Sequence, residues 1–238
     1  METVPVPATE ISRLKISSSL VCDYALRAVA NPSSLVLLLH GYLQSGPYLF
    51  KKLEPLIPAS AIVLAPNAPF PVPVKLKGKP GDIPKGTESG FRLGFSWYFY
   101  DPSPSPSKDD YYIDMESSVE YLKALVRALG YQELPKILVG YSQGGYLAPF
   151  AGQAFRRVTR VLGISCQFLD EEIRGTIPFR MDAIHGSSDD WVDAEASERS
   201  HRALVNRGVE GKFILLRNSG HRITSEMAEA IREQLHEI

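Results

Sequence analysis

The chain of 238 residues is short of cysteine, of excess charge and of long apolar runs. Its 2 cysteines, Cys22 and Cys166, are too few for a disulfide framework. Free cysteines are among the most often buried residues, so both are expected as buried thiols. With 26 basic and 27 acidic side chains the formal net charge is −1, which gives no electrostatic ground for binding nucleic acid or an anionic membrane surface. No apolar run approaches the roughly 20 residues of a membrane-spanning helix, so no stable membrane insertion is expected. The opening METVPVPATE lacks the basic and apolar regions of a secretory signal, and a cytoplasmic location is expected. No internal repeat occurs. There is no His/Cys cluster at ligand spacing and no Gly-rich phosphate loop after the first strand, so neither a metal nor a cofactor is expected.

What is present fits a globular chain: 44% hydrophobic and 22% charged residues, enough for a sizeable core. Nothing in the middle reads as a plain linker, which favours one domain over residues 1–238. Six short apolar runs read as strands: Ser34–Gly41, Ala61–Pro66, Lys136–Tyr141, Arg160–Cys166, Arg180–Gly186 and Gly211–Asn218. Several lack polar alternation, as suits parallel strands covered on both faces. RLKIS and DYALRAV, earlier in the chain, alternate more and suggest an antiparallel edge hairpin. Helical spacing recurs between the runs. Met115, Val119, Leu122, Val126 and Leu129 step by three and four, between an N-cap candidate Asp114 and a stop at Gly130. Ile223, Met227, Ile231 and Leu235 recur every four residues. Gln143–Phe155 and Ala194–Asn206 are further helices. The alternation of strand and helix predicts an α/β fold: a mainly parallel central sheet with helices on both faces.

One segment breaks the rhythm. Residues 66–108 hold half of the 18 prolines and the aromatic cluster FSWYFYD. Long loops inside a compact domain are usually functional or disordered. The tail DPSPSPSKDD reads as mobile and the aromatic part as ordered, because exposing its rings would be costly. Those rings either cover a sheet edge or wall a pocket.

Gly140-Tyr141-Ser142-Gln143-Gly144 fits G-x-S-x-G. By itself the pattern is weak, since ordinary glycine frequency yields it by chance about one time in ten in a chain this long. Its setting is stronger: a buried strand precedes it and a helix follows, as the nucleophile elbow requires. Such a turn lifts the serine above the sheet and points the free N–H groups of the helix N-terminus towards developing negative charge.

A serine hydroxyl needs a base, and in this arrangement an acid and then a histidine follow it in the chain. His221 comes after a strand end and before the last helix, which places it at the carboxyl end of the sheet. His201 and His236 fall within helices and are expected at the surface; His185, still on its strand, is expected to be structural. AIHGSSDDWV offers Asp189 and Asp190 as acids to orient His221. Donors for an oxyanion are the backbone N–H of Gln143 and one from the loop after His40-Gly41, with Tyr42 first and Leu43 second. Leu43, Trp97, Tyr98 and Trp191 are candidate pocket residues.

LLHGYLQSG, LAPNAPFP, GYSQGG, HGSSDDWV and SGH together resemble the signature segments of the phospholipase/carboxylesterase family of α/β-hydrolases, which includes acyl-protein thioesterases and small bacterial carboxylesterases. The resemblance runs from about Leu35 to the end. It implies the acid at Asp189 and the first oxyanion donor at Tyr42. Trp97 and Asp101 resemble the family's W-F-D segment, here expanded to WYFYD, and Asp193 stands where relatives often carry proline, in position to cap the next helix. Dienelactone hydrolases share the fold but use a cysteine nucleophile, which Ser142 argues against. The resemblance implies a serine hydrolase of carboxylic esters or thioesters, acting on a small or lipid-like acyl substrate, with a homodimer left open. Lysophospholipase, acyl-protein thioesterase and peptidase activities are the rivals among enzymes. The rival of another class is a non-catalytic binding protein of the same fold.

Overall fold

Strand β2 (Ser34–Leu39) shows why a run without polar alternation forms the middle of a sheet. Leu35, Leu37 and Leu39 join one apolar core, while Val36 and Leu38 join a second on the opposite face. Successive side chains of a strand point to opposite faces, so a strand covered on both sides must be apolar at every position.

The computed structural model describes residues 20–75, 91–99 and 115–236. The main sheet is built from β1 (Tyr24–Arg27), β2, β3 (Ala61–Pro66), β6 (Lys136–Tyr141), β7 (Val158–Ile164), β8 (Arg180–Gly186) and β9 (Phe213–Leu216), in the order β1-β3-β2-β6-β7-β8-β9. Every pairing is parallel except that of β1 with β3. Helices α2 (Met115–Ala128), α3 (Gln143–Ala154) and α4 (Ala194–Asn206) give side chains to one core; α1 (Gly46–Leu53) and α5 (Ser225–His236) give theirs to the other. The expected mainly parallel sheet with helices on both faces is therefore the observed fold. Gly130 ends α2 with φ +78°, the left-handed conformation that a helix stop favours. Asp193 Oδ1 caps α4 by accepting from Glu195 N at 2.9 Å.

The expected edge strand β1 pairs antiparallel with β3, from Tyr24↔Pro66 to Arg27↔Val63; RLKIS, its expected hairpin partner, lies outside the described residues, as do Asp114 and Asp101. Three expectations change. Cys22 is only half-buried, because it enters this sheet edge, whereas Cys166 is buried and its thiol is pushed well up by desolvation. His201 is buried, not at the surface, and its Nε2–H donates to Met181 O at 2.9 Å; His236 is exposed, as expected.

The third change is a pair of strands within the proline-rich segment, which was expected as loop. Phe70–Lys75 (β4) and Phe91–Ser96 (β5) form a two-stranded antiparallel sheet. Prolines normally exclude a strand unless their missing N–H faces an unpaired edge. Pro71 and Pro73 are two residues apart, so both gaps face the same side. Pro71 stands opposite Phe95, and Phe95 turns both backbone groups the other way: its N–H donates to Gln44 O and its carbonyl accepts from Leu43 N, each at 3.0 Å. Nothing is then required of Pro71 towards β5.

Candidate active site

Ser142 sits between β6 and α3 with φ +51° and ψ −120°, a left-handed backbone that a non-glycine residue adopts only under strain. Its N–H is tied to Ile164 O at 2.8 Å. The turn is this tight because its glycines have no side chain: a Cβ on Gly140 would lie 2.3 Å from Gly144 O, and one on Gly144 would lie 2.1 Å from Leu39 O. The G-x-S-x-G spacing is thus a packing requirement of strand against helix.

Three separate loops at the carboxyl end of the sheet bring the expected residues together. Ser142 Oγ lies 3.0 Å from His221 Nε2, and His221 Nδ1 lies 2.8 Å from Asp189 Oδ2. A carboxylate only accepts, so Nδ1 carries the proton and Nε2 is left to accept from the serine hydroxyl. Tyr141 OH donates to His221 O at 3.0 Å and fixes the loop from behind. Asp190 is exposed, while the Asp189 side chain is fully buried.

Asp189 is held from every side. Oδ1 accepts the N–H groups of Trp191 at 2.9 Å and Val192 at 3.0 Å. Oδ2 also lies 3.3 Å from His185 Nε2. Burial by itself would raise this carboxyl, but the hydrogen bonds from His185, His221, Val192 and Trp191 outweigh it and hold the group well below the usual carboxylate range. His185 is fully buried, and its Nε2–H also reaches Val192 O at 3.0 Å. It is a structural histidine, as expected, but one that touches the acid.

The loop expected to supply an oxyanion donor follows β2. Leu43 has φ +60°, and its N–H is committed to Phe95 O. His40 is fully buried beneath the loop. Its Nε2 accepts from Ala68 N at 3.0 Å, so Nδ1 carries the proton and donates to Gly41 O at 2.8 Å. Burial pushes this imidazole down to about 4, partly offset by the Gly41 carbonyl, and it is neutral at pH 7.

A pocket of about 390 Å³ opens at Ser142 and His221. Leu43, Tyr98 and Trp191 line it as expected, joined by Tyr141, Tyr146 and Val192. No lysine or arginine lines it among the described residues. Trp97 does not line it: the ring is fully buried against His40, with centroids 5.0 Å apart, and Nε1–H donates to His40 O at 2.8 Å. Tyr146 was open to discovery from spacing, since it stands one helical turn beyond Ser142 on α3. The side chain of Gln143 gave no such signal. Only the backbone of Gln143 was expected to matter, yet its buried carboxamide accepts from Trp97 N at 3.0 Å and donates to Ser96 Oγ and Tyr98 O, each at 2.9 Å.

A family model described as serine hydrolase (FSH1) matches residues 30–228. No curated protein matches the chain in sequence. Similar solved structures include the esterase PE8, with 23% identity and a TM-score of 0.69 over 91% of this chain and 99% of that one. Acyl-protein thioesterase 2 of Zea mays follows at 18% identity and TM-score 0.66, over 92% and 99% of the two chains. SOBER1 of Arabidopsis thaliana has 22% identity and a TM-score of 0.63, over 86% and 98%. At such identities the likeness establishes the α/β-hydrolase fold.

Proposed function

This chain belongs to the serine hydrolase (FSH1) family, and we propose that it cleaves uncharged carboxylic esters or thioesters through an acyl-enzyme on Ser142. The observation that carries this reading is the unbroken line of hydrogen bonds from Ser142 Oγ through His221 to Asp189. Ser142 Oγ attacks the carbonyl carbon and its proton passes to His221 Nε2. The imidazolium formed is stabilised by Asp189, which stays ionised. Collapse of the tetrahedral intermediate expels the alkoxide or thiolate, which takes the proton from His221. Water, deprotonated by the same nitrogen, then attacks the acyl-enzyme and releases the acid and Ser142.

The oxyanion faces two backbone donors on different loops, Gln143 N–H at the start of α3 and Tyr42 N–H after β2. The choice of Tyr42 over Leu43 is supported by the engagement of Leu43 N–H with Phe95 O. The aromatic lining and the lack of a lysine or arginine among its described residues favour an uncharged, lipid-like acyl group over one bearing a carboxylate. The similar structures include an esterase and an acyl-protein thioesterase, in agreement with this chemistry. The cytoplasm is the proposed location, in keeping with two thiols that remain unpaired. No described helix is long and apolar enough to cross a membrane.

Labelling by a fluorophosphonate probe tests the assignment. The wild-type protein is expected to label and to hydrolyse p-nitrophenyl esters, and Ser142→Ala to do neither. An unlabelled wild-type protein would instead be a non-catalytic binding protein of this fold.

A further inference from the structure

The proline-rich segment does more than wall the pocket. Residues 95–98 touch both halves of the oxyanion site, and they do so through groups that the catalytic line does not use. Towards the loop after β2, Phe95 exchanges two backbone hydrogen bonds with Leu43 and Gln44, and Trp97 Nε1–H donates to His40 O. Gly94 makes the approach feasible: a Cβ there would lie 2.6 Å from Leu43 O. Towards α3, Trp97 N–H and the Ser96 and Tyr98 oxygens are bonded by the single carboxamide of Gln143. Ser118 Oγ on α2 anchors the segment by bonding Trp97 O. Gln143, Ser96 and Trp97 are all buried, so water cannot replace these bonds without reorganisation.

We propose that the Gln143 carboxamide and Trp97 are positioning residues that lock the two oxyanion donors at a fixed separation. Segment 95–98 thereby sets turnover as well as shaping the pocket. The proposal rests on the acyl-enzyme reading above. Its physical basis is that the donors stand on two different loops, after β2 and after β6; these pack on each other through glycines, Gly41 beside Tyr141 and Ser142 and Gly144 beside Leu39 and His40, and segment 95–98 adds hydrogen bonds to both. An oxyanion site works through donors already in place when charge develops, and a displacement of about 1 Å can cost on the order of a hundredfold in rate. Gln143 thus serves twice: its N–H faces the oxyanion and its side chain holds the opposite wall. Tyr98 is in the pocket wall and its carbonyl is on the same carboxamide, so the acyl pocket and the oxyanion site form one rigid unit.

The test uses Gln143→Met, which keeps length and the backbone N–H but loses the carboxamide, and Trp97→Phe, which removes the Nε1–H bond to His40 O together with part of the buried ring. Steady-state kinetics on a p-nitrophenyl ester are read beside inhibition by a trifluoromethyl ketone, which forms a tetrahedral serine adduct. Rates are normalised to the fraction of sites that a fluorophosphonate titrates, and thermal unfolding is followed. Gln143→Met is expected to lower kcat by about ten- to a hundredfold with KM within about twofold, and to weaken the ketone by a matching factor. Trp97→Phe is expected to do the same on a smaller scale, about three- to tenfold, while remaining folded. Unchanged kcat per titrated site in both variants, with only a raised KM or a lower melting temperature, would overturn the clamp and leave the acyl-enzyme reading standing. A wild-type protein that neither labels nor binds the ketone would overturn both.

Discussion

Two histidines reach the same carboxylate oxygen, and only one of them also reaches the Ser142 hydroxyl. His221 Nδ1 lies 2.8 Å and His185 Nε2 3.3 Å from Asp189 Oδ2. His221 sits on a loop after β9 with its other nitrogen towards Ser142 and its side chain 15% exposed to the pocket. His185 stands on β8, fully buried, with Nε2–H shared between Asp189 and Val192 O and with no partner at Nδ1 among the described residues. The buried imidazoles His40 and His201 follow the His185 pattern, each donating to a backbone carbonyl. Proximity to an acid therefore does not make a base. What distinguishes His221 is a second nitrogen aimed at a hydroxyl in an open pocket.

The difference between the two histidines rests first on the carboxylate they share. Asp189→Asn presents an amide to His221, disturbing its tautomer and losing the stabilisation of the imidazolium, and is expected to cut kcat by about 10³–10⁴-fold. Asp190→Asn, an exposed neighbour, should stay within about twofold; parity between the two variants would dismiss Asp189 as the acid. His185→Leu removes one of four donors to Asp189. It is expected to cost about tenfold in kcat and, by leaving a less neutralised carboxylate beside His221, to move the acidic limb of the kcat/KM profile to higher pH. An unmoved limb would make His185 a packing residue alone.

The smallest effect concerns stability. An unfolded-chain imidazole protonates near pH 6.5, His40 in the fold only near 4, so between these values the unfolded state binds more protons. The stability that His40 contributes is complete above about pH 6.5, declines as the pH falls, and levels off below about 4, a loss of about 3 kcal/mol. The buried His201, also held low chiefly by desolvation, adds to the same decline. Asp189 acts in a lower window: its ionised form stabilises the fold above about pH 4 and that contribution is lost as the pH drops further. Melting temperatures measured between pH 7 and 4.5 should therefore show a shallower fall in His40→Gln than in the wild-type protein. An identical slope would remove His40 from the account.

Much of this molecule was legible because its chemistry depends on residues adjacent in sequence. β3, β6, β8 and α4 fall where their apolar runs and spacing put them. Ser142 was readable because packing of the end of β6 against α3 admits only glycine at position 140, and packing of α3 against the end of β2 only glycine at 144, which leaves a local pattern. His221 and Asp189 were readable because each follows a strand end. The β4–β5 sheet was not: Pro71 and Pro73 look like strand breakers, and only the partner reveals that their missing donors are unneeded. Trp97, expected in the pocket, lies beneath it, since its ring and indole N–H are better matched by His40 than by open space.

By itself, then, the sequence determined the period of its strands, the glycines of the serine turn and the order of serine, acid and histidine, because each is set by neighbours a few residues away. Tertiary structure alone decided which of two bonded histidines faces the serine, which aromatic rings reach the pocket, and what the Gln143 carboxamide holds. These depend on contacts between segments 45 to 80 residues apart, where burial and the demand for hydrogen-bond partners choose among side chains that look alike in the chain.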